Sequence, residues 1–179
     1  MPVWLRPIEF RVEGRDRLRP LTWTALGGLV LGAVMAVFGL PPVDVHGPLH
    51  YLGIMDPLCG GTRSVWAAMS GDPATSWRYN PLGIVLVAGA AGTIVRFVLG
   101  AVTGRWINVR VRSWETVVAV GSTLFGVLAV RQQMNADLLS SPPGSFSPVG
   151  PLLNALPVLV MLVWLNVRRR RMTAANTRR

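Results

Sequence analysis

The sequence predicts an all-α integral membrane protein with four transmembrane helices and both termini in the cytoplasm. Two short interfacial helices are expected in the outer loop between spans one and two. Three observations predict this. The chain is 51% hydrophobic, with a mean hydropathy of +0.43 that soluble domains rarely reach. Four apolar runs each approach the roughly 20 residues that a helix needs to cross a bilayer. The arginines gather in alternate connecting segments, as the positive-inside rule requires.

Residues 1–20 form a basic lead in which Arg6, Arg11, Arg15, Arg17 and Arg19 outnumber Glu9, Glu13 and Asp16. Span one covers 21–40 and stops at Pro41-Pro42. No small-residue cleavage site precedes Pro41, so the span is expected to be an anchor rather than a signal peptide. An outer insert covers 41–81, followed by span two at 82–103, a cytoplasmic loop at 104–115 and span three at 116–130. An outer loop at 131–148 precedes span four at 149–167, and a basic tail covers 168–179. These segments make a single membrane domain, since they leave no room for a separate globular core.

The formal charge is +10, and all 18 basic residues are arginine. A lysine-free chain rich in Ala, Gly, Val and Arg has the composition of a GC-rich, actinobacterial-type genome. Nucleic acid is excluded as a partner by position, because the arginines abut apolar spans, where they set orientation and meet anionic headgroups. The lead, the 104–115 loop (Arg105, Arg110, Arg112) and the tail (Arg168 to Arg171, Arg178, Arg179) carry most of the charge. The insert sets Asp44, Asp56 and Asp72 against Arg63 and Arg78. The expected location is therefore a bacterial inner membrane, with the insert outside. A single cysteine, Cys59, allows no internal disulfide.

The insert is too patterned for a simple connector. Thr62 is placed to cap a helix running to about Ser70, and Gly71 fits its stop. Asp72-Pro73 reads as a second cap with proline at the first helical position. That helix ends near Asn80, because Pro81 disfavours helical geometry before it. Trp66, Trp77 and Tyr79 suit a membrane–water boundary.

The run Asp56-Pro57-Leu58-Cys59-Gly60-Gly61-Thr62-Arg63, then Gly71-Asp72, then Asn80-Pro81-Leu82 before a span, resembles a bacterial family of small membrane proteins of unknown function. That family is marked by a Cys-Pro-x-Cys-Gly-x-Thr-Arg signature with the same following elements. Its first signature cysteine is Asp56 here, which puts paired-thiol chemistry in doubt, and the resemblance implies no established activity.

On their own chemistry, Asp44, His46, His50, Asp56 and Cys59 are the conceivable metal ligands close in sequence. Gly47-Pro48 breaks the helix that would align the histidines, so no metal site and no cofactor are expected. Cys59 as a nucleophile needs a base and a depressed pKa, and reads better as an inert thiol at a tight turn. No catalytic residue is assigned. Arg63, in the first turn of its helix, asks for a compensating carboxylate from Asp56 or Asp72. Arg63, Arg78 and Arg96 are the candidates for headgroup or partner contact, although Arg96, inside span two, is also explained by snorkelling. Gly28/Gly32, Ala88/Gly92, Gly100/Gly104 and Ser122/Gly126 form small-x-x-x-small pairs suited to helix packing.

The function these features favour is a non-catalytic accessory subunit of a larger inner-membrane complex of the cell envelope, such as a transporter of lipid or another apolar solute. Membrane lipids and other membrane subunits are its expected partners. The alternative is a membrane-surface enzyme or headgroup-binding protein that acts on a lipid or isoprenoid phosphate through the Cys59/Arg63 insert.

Overall fold

The computed structural model describes residues 7–41 and 49–140. Span four at 149–167, the tail arginines, Asp44 and His46 lie outside the described residues. The chain divides into two compact units. One comprises Met1–Pro41 and Met55–Leu139 and contains nearly all the described structure. The other comprises Pro42–Ile54 and Ser140–Arg179. Its described part is a 3-10 turn, His50–Leu52, closed at Gly53 with a φ of 76°.

The larger unit runs β1 (Ile8–Glu13), α1 (Arg19–Phe38), α2 (Gly61–Met69), α3 (Pro73–Tyr79), α4 (Pro81–Thr103), β2 (Trp106–Val111), α5 (Trp114–Met134) and α6 (Ala136–Leu139). It is mostly helical, and α1, α4 and α5 are long and apolar enough to cross a membrane. Proline near the start of α1 and of α4 supplies a φ already suited to a helix. Gly104, left-handed at φ 67°, ends α4 by donating its N–H to the Gly100 carbonyl. In α5, Ser113 caps the first turn, Glu115 sits near the positive end of the dipole and Arg131 near the negative end.

The three long helices are inside-out by the standard of a water-soluble fold. In α1 the buried residues are Thr22, Ala25 and Gly32, while Val30, Leu31, Val37 and Phe38 face outward. In α4 the buried residues are Gly83 and Gly100, while Val85, Leu86, Val98 and Val102 are exposed. Small and polar groups lie between helices and apolar ones on the outside, an arrangement compatible with embedding in hydrocarbon.

The all-α expectation fails at one place: β1 and β2 form an antiparallel two-stranded sheet, in register from Ile8↔Val111 to Glu13↔Trp106. Both segments alternate apolar and polar residues, the signature of a strand. Alone, the lead passes for an amphipathic helix, and the second strand lies nearly 100 residues away. The pairing puts the start of α1, the end of α4 and the start of α5 at one end of the bundle. The insert, packed on α4 and on the last turn of α5, occupies the other end. Boundaries also move. Helix α1 starts two residues before the expected 21, and α5 spans Trp114–Met134 rather than 116–130.

Candidate functional site

The signature segment folds as two consecutive tight turns leading into α2. The Asp56 carboxylate accepts from the Leu58 N–H at 2.7 Å, the Cys59 N–H donates to the Asp56 carbonyl, and the Gly61 N–H donates to the Leu58 carbonyl. Gly60, left-handed at φ 74°, delivers the chain into the helix. The helix cap is thus Gly60, with no side-chain capping bond, and the expected Thr62 cap is not formed. Thr62 lies inside the first turn, two residues past the cap position.

Helix α2 ends as the sequence leads one to expect. Gly71 has a φ of 82°, and its N–H bonds the Ala68 carbonyl while that of Asp72 bonds Ala67. Asp72 then caps α3, accepting from the Thr75 N–H at 2.9 Å. Hydrogen bonds from Thr75 hold its carboxyl below the usual aspartate range. Asn80 in turn caps α4, its carboxamide oxygen accepting from the Leu82 N–H at 3.0 Å.

Ser64, Ser76, Asn80 and Gln132 are completely buried at the centre of this end of the molecule. The Ser64 hydroxyl lies within hydrogen-bond distance of the Ser76 hydroxyl and of the Ser76 and Asn80 carbonyls. Having one proton, it donates to one carbonyl at a time and accepts from Ser76. The Asn80 amide donates to the Pro57 carbonyl at 2.9 Å and the Cys59 carbonyl at 3.0 Å. From α5, the Gln132 amide donates to the Cys59 and Tyr79 carbonyls, Arg131 donates to the Trp77 carbonyl at 2.7 Å, and Gln133 accepts from the Met55 N–H at 2.9 Å. The carbonyls left open at the C-terminal end of α3 are therefore satisfied by a cation and an amide from another helix. The run Arg131-Gln132-Gln133, at the start of the expected 131–148 outer loop, is a clamp. Its signal was three long polar side chains in succession at the end of an apolar helix.

The Cys59 thiol is 2% exposed, packed with Met55, Leu139, Tyr79 and Ala136. Burial of this kind withholds a thiol from any substrate. Around it the backbone is tight. A methyl group on Gly60 would lie 2.7 Å from Leu139 Cδ2 and 3.1 Å from the Tyr79 carbonyl, at a φ that side chains rarely adopt. Gly60→Ala is expected to cost about 1–2 kcal/mol for the left-handed backbone alone. Thermal unfolding of the purified protein in detergent should show that loss.

Arg63 pairs with neither expected carboxylate. Asp56 is held by its own turn and Asp72 by its helix, while the Arg63 guanidinium stacks on the Tyr79 ring with 5.9 Å to the centroid. Arg78 projects from the exposed last turn of α3. Among the described residues no group of three or more His, Cys, Asp or Glu could hold a metal ion.

Arg96 belongs to a second cluster at the opposite end. Its guanidinium bonds the Asp16 carboxylate at 2.5 Å, the Asn108 carboxamide oxygen at 3.2 Å and the Ile107 carbonyl, and lies over the Trp106 ring. An internal ion pair thus engages the arginine for which headgroup contact, partner contact or snorkelling was expected. Asn108, 3% exposed, ties the node to the lead by donating to Glu13 and to the Arg15 carbonyl and accepting from the Arg17 N–H. Burial pushes the Asp16 carboxyl up, but Arg96 and the Leu18 N–H outweigh it and hold the group below its ordinary value.

The glycines of the small-residue pairs divide. Gly32 meets Met69, and Gly100 receives the Trp106 ring. Gly28, Gly92, Gly104 and Gly126 have nothing within 4 Å of where a side chain would begin, among the described residues.

No curated protein and no solved structure matches the chain. Residues 48–94 match a family model described as a protein of unknown function (DUF2752), so the segment from the 3-10 turn through the first half of α4 is similar to that family.

Proposed function

We propose that this protein is a non-catalytic structural subunit of a larger complex in a bacterial inner membrane. In this reading its termini and its β-sheet are cytoplasmic and its insert is outside. The observation that carries it is the use made of polar chemistry in the insert. Ser64, Ser76, Asn80 and Gln132 are spent on the chain's own hydroxyls and carbonyls, fastening residues 55–80 to the end of α5. Such a lock gives rigidity and no reacting group. Gly28, Gly92 and Gly126, open among the described residues and on helices whose outward faces are apolar, fit close approach by helices of other subunits. Arginine placement supports the orientation, since the sheet end carries Arg11, Arg15, Arg17, Arg105, Arg110 and Arg112.

One observation favours a second reading, headgroup binding. Arg63 lies on Tyr79 with no hydrogen bond to a carboxylate among the described residues, which leaves its fork of donors for a phosphate. The buried Cys59 argues against adding catalysis to that site.

Purification of the tagged protein from its native host in mild detergent, followed by mass spectrometry, tests the proposal. Reproducible co-elution of other membrane proteins is the expected result, and recovery as a lone monomer would overturn it. For the headgroup reading, Arg63→Ala should remove a cellular phenotype at unchanged abundance. Loss of abundance instead would mark Arg63 as structural.

A further inference from the structure

The two-stranded sheet has two unlike faces. In register, Ile8 faces Val111, Phe10 faces Val109 and Val12 faces Ile107, so one face consists entirely of apolar side chains. Phe10 is 72% exposed and Val12 59%, and Ile8, Ile107 and Val109 are exposed as well. The other face packs on α4. Trp106 fills the notch at Gly100, and Asn108 and the Ile107 carbonyl receive Arg96. A strand face of this composition turned to water would be an aggregation hazard.

Depth along α4 indicates what covers it. Arg96 precedes the end of α4 at Thr103 by seven residues, about 10 Å of helix rise. Because β2 begins beside Gly100 and Arg96, the sheet folds back along the last two turns of α4 instead of continuing away from it. Those turns expose Val95, Val98, Leu99 and Val102, and the apolar sheet face lies at the same level. Exposed arginines rim the sheet: Arg15 on the β1 side, Arg105 and Arg110 on the β2 side, and Arg112, 3.9 Å from Glu9, while Arg11 pairs with Glu9 at 3.0 Å.

We propose that the β1–β2 sheet is an interfacial anchor, its Ile8/Phe10/Val12/Ile107/Val109/Val111 face seated in the acyl–headgroup boundary of an anionic lipid leaflet. The rim arginines take the lipid phosphates. Apolar area and basic charge act together, as they do in amphipathic helices that lie in the membrane plane. The Asp16–Arg96–Asn108 node is then the strut that fixes the sheet's tilt against α4. The inference requires that the long helices lie in a bilayer, but it does not depend on the subunit reading.

The test uses the full chain in vesicles of phosphatidylcholine, alone or mixed with phosphatidylglycerol. A nitroxide is placed on Phe10→Cys, and separately on Val109→Cys, so that a failure of one variant leaves the other. Cys59 is buried, and the unsubstituted protein treated identically serves as the blank. Leu31→Cys, at mid-span on an exposed face of α1, gives the deep reference. Both sheet labels should relax more strongly with oxygen than with a water-soluble nickel complex, at a depth shallower than Leu31. Phosphatidylglycerol should deepen them, and Arg110→Gln with Arg112→Gln should remove that deepening. Preferential relaxation by nickel would overturn the proposal by placing the face in water. Protection from both agents would overturn it by showing that protein covers the face. Indifference to phosphatidylglycerol would overturn the headgroup role of the arginines.

Discussion

Gly83→Val is expected to remove much of the protein's stability and its yield of folded material. Gly83 lies in the first turn of α4, where it crosses α2 at Ser64. A side chain there would begin on top of the Ser64 hydroxyl, 2.7 Å from its Cβ and 2.8 Å from its backbone carbonyl carbon. The obstacle is mostly backbone and a fully buried side chain, neither of which can swing away. Overpacking a core typically costs 1–3 kcal/mol, and more where nothing can move. Here the displacement also separates Ser64 from Ser76 and Asn80, adding roughly 1–3 kcal/mol for stranded buried polar groups. Total stability is commonly about 5–15 kcal/mol, so the sum removes much of it. Gly89→Val, six residues further along α4 with nothing within 4 Å of its added side chain among the described residues, should behave as the native protein. Size-exclusion of fluorescently tagged variants reads the difference directly. A monodisperse Gly83→Val peak of native yield would show that α2 and α4 do not cross at that point.

The second large effect lies at the other end. Asp16→Ala leaves the Arg96 guanidinium, with a side chain only 12% exposed, facing an empty site. Breaking a buried pair from one side costs about 3–5 kcal/mol, much of it the penalty of the abandoned charge. Asp16 Oδ2 and Arg96 Nη1 lack a hydrogen bond, and without the carboxylate Arg96 keeps only the neutral acceptors of Asn108 and Ile107 among the described residues. Asp16→Leu combined with Arg96→Met, which removes both charges, should be milder than Asp16→Ala. The sign of the pH dependence follows from the lowered Asp16 pKa. Its contribution is complete above the ordinary aspartate range and is lost as pH falls through the lower folded value. Thermal unfolding of native protein should therefore weaken in that acid window, and Asp16→Ala should weaken less over the same range. Equal acid sensitivity in the two proteins would remove Asp16 as the titrating group.

Local features were legible in the sequence and long-range ones were not. The first three apolar runs, the Gly71 stop, the Asp72-Pro73 cap and the Asn80-Pro81 entry into α4 are each decided locally, and each is helical or capped as expected. Thr62 misled because the left-handed Gly60 starts the helix earlier than a side-chain cap would. Strand β1 was hidden because its alternation also reads as a charged amphipathic lead, and its partner lies beyond α4. The Arg131–Gln133 clamp and the Arg96–Asp16 pair join residues far apart in the chain. Nothing in a single sequence marks which carbonyl or carboxylate a polar side chain at a span's end will meet. In the insert, the residue types were visible, but their being consumed by one another was not.

The sheet imposes an order on biogenesis. Strand β1 is synthesised first and has no partner until Val111 has been made, after the whole of α1 and α4. The two strands can close only if the chain has crossed the bilayer an even number of times between them. A helix that failed to insert would leave β1 and β2 on opposite sides of the membrane, each with a bare hydrogen-bonding edge and an unmatched apolar face. Where α1 and α4 both span a bilayer, closure of Ile8–Glu13 onto Trp106–Val111 requires both crossings, so the sheet works as a parity check on topology.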